Sequence, residues 1–61
     1  MLTSRQQAVM LLAAKGLSNK EIARRLEITE GTVKVHLRSI FVKLGIRNRT
    51  MLVALAAQKS R

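Results

Sequence analysis

Only Glu27 and Ile28 stand between the end of one helical pattern and Thr29, the residue placed to start the next. So short a connection allows two helices little beyond one crossing, which is a helix-turn-helix spacing. The flanking signals agree. Ser18-Asn19-Lys20-Glu21 is a capping box, in which the Ser hydroxyl and the Glu carboxylate can each satisfy an amide left free at a helix start. The Glu charge also sits at the positive end of the helix dipole. Ile22, Ala23 and Leu26 then form the apolar face of a short helix over about 19–26. Beyond Thr29, a third helix over about 30–44 carries Val33, Leu37, Ile40, Phe41 and Leu44 as a stripe and stops at Gly45.

The rest of the chain is punctuated in the same way. Thr3 and Gln6 form a further capping box, and Gly16 can close that helix in a left-handed conformation, giving a helix over about 4–15. Its stripe is Ala8, Val9, Leu12 and Ala13, with Leu11 widening it. Asn48 caps a fourth helix over about 49–58, where Met51 to Ala57 is apolar without interruption. A helix apolar all round must be covered on more than one side, by the core and by a second chain or a neighbouring domain. Nothing alternates with the period of a strand, so the expected fold is all-α, a four-helix bundle containing a helix-turn-helix, as one domain over 1–61.

Composition narrows the function. A chain of 61 residues buries only roughly 60% of its unfolded surface, so the core is thin. Twelve Lys and Arg against three acidic residues, all Glu, give a net charge of +9, which calls for a polyanionic partner. There is no Cys and no Asp, and one His, so neither a zinc ligand set nor a hydrolytic triad can be assembled. Neither an enzyme nor a cofactor is expected. A hydrophobic content of 48% is too high for a disordered basic tail. No apolar run approaches the roughly 18 residues of a membrane span, and the N-terminus lacks the order of a signal peptide. A cytoplasmic module is expected. The single aromatic residue, Phe41, argues against single-stranded nucleic acid, whose binders stack bases on rings.

Projected at 100° per residue, the third helix turns Gly31, Lys34, Val35, Arg38, Ser39 and Val42 away from its apolar stripe. Lys34 and Arg38 lie one turn apart and flank a valine. Cationic donors can reach guanine O6 and N7, and a methyl surface suits thymine, so these three residues fit base reading in a major groove. Cations on a helix more often only solvate an exposed face; here the short turn, the net charge and the outward valine favour DNA. Amides near Ser18 and Asn19, helped by Lys20, could bind phosphate. Thr29 and Thr32 offer hydroxyls near the groove entrance, and Lys43 could reach the backbone from the far end. Each also has a plain use, as a cap or as a solvated charge. His36 lies at the edge of the stripe and fits either packing or a phosphate contact.

Taken in order, Leu2-Thr3-x-Arg5, Gly16-Leu17-Ser18-Asn19-Lys20-Glu21-Ile22-Ala23, Ile28-Thr29-x-x-Thr32-Val33-Lys34-x-His36 and Lys43-Leu44-x-Ile46-x-x-Arg49 resemble the LuxR/FixJ-type helix-turn-helix domain over nearly the whole chain. The resemblance implies a bacterial transcription regulator that binds double-stranded DNA as a homodimer, formed either free or only on DNA. It places base reading on Lys34, Val35 and Arg38, and backbone contacts on Asn19, Lys20, Thr32, His36 and Lys43. It also implies dimer contact through the fourth helix, where Thr50, Val53, Ala54 and Ala57 share one face. Family members usually carry a sensory or receiver domain before this one; the start at Met1 suits an excised domain or a stand-alone one. Three positions depart from the family. Gln6 replaces a common Glu and loses its favourable charge at the helix start. Leu52 replaces the usual Ala, which would displace the fourth helix slightly. Glu27 stands where Gly or Asn would ease a left-handed backbone.

Two other readings remain open at this level. A sigma-factor region-four-like module would combine promoter contact with polymerase binding, although Thr32-Val33-Lys34-Val35-His36-Leu37 fits that pattern less well. A cationic amphipathic membrane binder would use the same charge and helicity, but ordered caps favour a packed globule.

Overall fold

The computed structural model describes residues 1–59. They form four helices, α1 (Ser4–Ala14), α2 (Asn19–Leu26), α3 (Glu30–Leu44) and α4 (Arg49–Lys59), with no strand among the described residues. α1 ends one residue before its expected end and α4 runs one residue past it. The last two residues of the domain expected over 1–61 lie outside the described residues.

Every predicted helix start is made by the predicted side chain. The Gln6 and Glu21 amides donate to Thr3 Oγ1 and Ser18 Oγ at 3.1 Å each, while Gln6 Oε1 and Glu21 Oε1 accept from the Thr3 and Ser18 amides. Thr29 Oγ1 accepts from the Thr32 amide at 3.1 Å, and Asn48 Oδ1 from the Met51 amide at 2.9 Å.

The first three helices also end alike. A left-handed residue follows each one, Gly16 (φ 93°), Glu27 (φ 59°) and Gly45 (φ 67°). The amide of the next residue then reaches back to a carbonyl five positions earlier: Leu17 to Leu12 at 3.2 Å, Ile28 to Ala23 at 2.9 Å and Ile46 to Phe41 at 3.0 Å. This is the Schellman closure, and in each case the residue after the left-handed one is apolar and packs on the core. Glu27 therefore adopts the conformation that Gly would hold freely, at a cost of about 1–2 kcal/mol. The closure and the packing of Ile28 offset that strain.

Val9 and Ala13 of α1, Ile22 and Ala23 of α2, Val33, Leu37 and Ile40 of α3 and Leu52 of α4 form the buried core. α1 is central and touches each of the other three helices. Its inward face differs from the expected one. Leu11, read as widening the stripe, is 56% exposed, and Ala8 and Leu12 are only half-buried. Gln6 is buried instead, its carbonyl oxygen bonded to the Thr3 amide at 3.1 Å and to the Lys43 ammonium at 2.9 Å. The cap takes Gln6 inward, and Leu11, five residues on, is turned out. α4 docks along one edge: Leu52 is fully buried, Leu55 and Ala56 are half-buried, and Met51, Val53, Ala54 and Ala57 are exposed. The volume that Leu52 adds over Ala thus lies wholly inside the core. No helix among the described residues is long and apolar enough to cross a membrane.

Candidate nucleic-acid interface

The rotation of α3 is fixed by its buried residues. Val33, Leu37 and Ile40 anchor one side in the core, so the other side must face solvent. Lys34, Val35, Arg38 and Val42 are exposed there, with Val35 at 64% and Val42 at 76%. Burying such valines on folding would be favourable, so two of them left on a cationic face need another explanation. Ser39, grouped with this side by simple projection, is half-buried. Gly31 is exposed, and a methyl group there would meet only Thr29 Oγ1, at 3.8 Å. Nothing inside the fold requires that glycine.

Lys34 and Arg38 border an open groove of ≈ 480 Å³ that also takes in Asn19, Phe41, Val42 and Arg49. The start of α2 and the outer face of α3 therefore share one concavity. At the α2 start the bonding is uneven. The Ser18 amide is taken by Glu21 Oε1, and the Glu21 amide by Ser18 Oγ. Among the described residues, the Asn19 and Lys20 amides have no such acceptor, and the Lys20 side chain is exposed. Ser18 thus serves as the cap; the amides free for an anion belong to the two residues after it.

The remaining expected contacts scatter. Thr29 and Thr32 join their hydroxyls at 2.9 Å at the start of α3, with Thr29 exposed and Thr32 half-buried. His36 is half-buried and does not line the groove. Lys43 lies apart from it as well, its ammonium donating to the Met1 carbonyl at 3.2 Å and to Gln6 Oε1 at 2.9 Å. It ties the end of α3 to the start of α1. On α4, Thr50, Val53, Ala54 and Ala57 are all exposed along one face. Arg49, which no sequence signal marks as a contact residue, enters the groove beside Lys34 and Arg38. Its partners are 30 and 32 positions away, so no local pattern announces them.

The titration of Glu21 is displaced. The Ser18 amide and then the Ser18 hydroxyl hold its carboxyl below the ordinary range, with Arg24 and Arg25 adding to the effect. The carboxylate is lowered in the folded state, so the stability it confers is present above the ordinary Glu range and is lost as pH falls through the lower folded value. Glu21→Gln keeps an acceptor at the cap but removes the charge. It is expected to flatten this acid limb in thermal melts taken as pH is lowered; an unchanged limb would assign the pH dependence to other groups.

Comparison with known proteins places this arrangement. The profile of the GerE family, described as bacterial regulatory proteins of the luxR family, matches residues 1–56. The nitrate/nitrite response regulator protein NarL of Escherichia coli is 50% identical over 48 residues, covering 79% of this chain and 22% of NarL. The response regulator protein VraR of Staphylococcus aureus is 48% identical over 58 residues, covering 95% of this chain and 28% of VraR. The crystal structure of the response regulator ChrA, from a heme-sensing two-component system, superposes with a TM-score of 0.87 at 40% identity. That superposition covers 98% of this chain and 30% of ChrA. The chain spans 22–28% of the length of NarL and VraR. Four helices in this arrangement, a three-residue turn between α2 and α3, and a family match over 1–56 lead to one assignment: the chain belongs to the luxR family of bacterial regulatory proteins.

Proposed function

We propose that residues 1–61 act as the DNA-binding domain of a bacterial transcription regulator, with α3 in the major groove of double-stranded DNA. The observation that carries this reading is the exposed Lys34–Val35–Arg38 face, on a helix whose rotation the buried Val33, Leu37 and Ile40 fix. Lys34 and Arg38 read base edges, and Val35 offers methyl contact to thymine. The amides of Asn19 and Lys20, the Lys20 ammonium and the hydroxyls at Thr29 and Thr32 grip phosphates on either side. His36 is half-buried and the Lys43 ammonium is already bonded to the Met1 carbonyl and Gln6 Oε1, so these two are assigned secondary backbone contacts. Gly31 lets the sugar-phosphate backbone come close to the start of α3.

The domain dimerises through the exposed face of α4, at Thr50, Val53, Ala54 and Ala57. A small-residue face on a helix that is otherwise apolar supports this placement. The relatives with the name response regulator are about three and a half times as long as this chain, so a receiver or other sensory domain is proposed to accompany it in the complete protein. The module does its work by binding, without catalysis or a cofactor, in the cytoplasm where the chromosome lies.

Selection from a pool of random duplexes tests the reading. The expected product is a preferred sequence made of two symmetry-related half-sites, since a dimer's two-fold axis is mirrored in its site. Contacts to about six phosphates would give a log–log salt slope near about −5. Recovery of unrelated sequences with the same steep slope would leave a non-specific polyanion binder and overturn base reading by α3.

A further inference from the structure

α2 and α4 are not among the pairs of helices that pack extensively; α2 lies on α3, and α4 on α1. One side chain joins them. Arg49, the first residue of α4, is half-buried and donates from Nη1 to Asn19 Oδ1 at 2.6 Å and from Nη2 to the Leu17 carbonyl at 2.5 Å. The two acceptors flank Ser18, the cap of α2. A guanidinium carries donors only, so the Asn19 amide has to offer its oxygen toward α4 and keep its NH2 group for something else. Among the described residues no acceptor takes those two hydrogens.

We infer that Arg49 is a positioning residue for DNA binding. It locks the Asn19 amide so that the Nδ2 hydrogens are free for a phosphate oxygen, next to the unpartnered Asn19 and Lys20 amides. An unrestrained Asn side chain would sample other rotamers and both amide orientations, and binding would have to order it. The rigid planar fork of the guanidinium removes that freedom beforehand, holding the two acceptors from two nitrogens in a fixed geometry that a freely rotating lysine ammonium does not impose. Because Arg49 opens the helix proposed to form the dimer seam, the phosphate grip of α2 is seated by α4. The inference rests on reading the α2 start as a backbone contact.

The test is a double-mutant cycle on the whole chain, with Asn19→Ala, Arg49→Lys and the pair. Affinity is measured for a mixed-sequence duplex at one salt concentration, on proteins shown to melt cooperatively above the assay temperature. Asn19→Ala is expected to weaken binding about tenfold, the effect of one charge-assisted hydrogen bond. Arg49→Lys, which keeps the charge, should cost a similar factor, and the pair no more than either alone. Factors that multiply to about a hundredfold would make Arg49 an independent phosphate ligand and overturn the inference. Wild-type affinity for Arg49→Lys would overturn it too. No effect of Asn19→Ala would instead remove the underlying backbone contact, and that single variant reveals it. If Arg49→Lys fails to fold, the unmodified protein still decides. The Asn19 side-chain amide resonances should shift and gain exchange protection when duplex is added, and unmoved resonances would refute the inference.

Discussion

Lys34→Ala and Arg38→Ala are each expected to lower affinity for the preferred duplex by about 1–3 kcal/mol and to leave binding to random duplex nearly intact. The contrast is with Lys20→Ala, which weakens every duplex by a similar factor and makes the salt slope shallower by about 1 unit. The reason is positional. Lys34 and Arg38 sit on the outer side of α3, which the proposed docking turns toward the base edges, whereas Lys20 lies in the first turn of α2. A donor that meets a base loses its partner when the base changes; a donor that meets a phosphate does not. Titrations of the three variants against one selected and one scrambled duplex separate the cases. Equal losses on both duplexes for Lys34→Ala and Lys20→Ala would sink the assignment of base reading to α3.

Leu52→Ala has the larger consequence for the molecule as a whole. Leu52 is 0% exposed and, among the described residues, is the one residue of α4 in the buried core. Truncating a buried leucine costs about 2–5 kcal/mol, depending on how far the site can collapse. A domain of 61 residues holds only about 3–9 kcal/mol in total, from 0.05–0.15 per residue. The variant is therefore expected to melt at least about 8 °C lower, at roughly 4–8 °C per kcal/mol. Val53→Ala, at 41% exposure on the other side of the same helix, should shift the melt little. A melt of Leu52→Ala within a degree or two of the parent would contradict the docking of α4. Family resemblance makes Ala the usual residue here, but in this chain the larger side chain is fully buried.

How far the sequence reveals this structure depends on the distance over which each interaction acts. Thr3, Ser18, Thr29 and Asn48 are legible as helix starts because each bonds a residue three positions ahead. Gly16 and Gly45 are legible as stops. Glu27 is legible only through its spacing, since its side chain gives no hint of the left-handed backbone it adopts. Leu11 misleads, because a count of apolar residues cannot tell that the cap has turned Gln6 inward in its place. Along Met51 to Ala57 there is no polar residue to break the symmetry, so periodicity could not single out Leu52 as the buried side. Lys43 with Gln6, and Arg49 with Asn19, join residues 37 and 30 apart. Such pairs follow from the fold and could not precede it. The outer face of α3 was readable because its opposite face is so regular; the groove it shares with α2 was not.

The exposed strip on α4 begins beside cations: Arg47 is exposed just before the helix, and Arg49 opens it. Each copy carries a net charge of +9, so two copies closing on that strip push like charges together. Salt screens this repulsion, and it also replaces the ions that DNA binding releases. Self-association and DNA binding should then respond to ionic strength with opposite signs, the first strengthening as the second weakens. A duplex reconciles them, because its phosphates neutralise both copies where they meet. DNA would be the counter-ion that allows the pair to form.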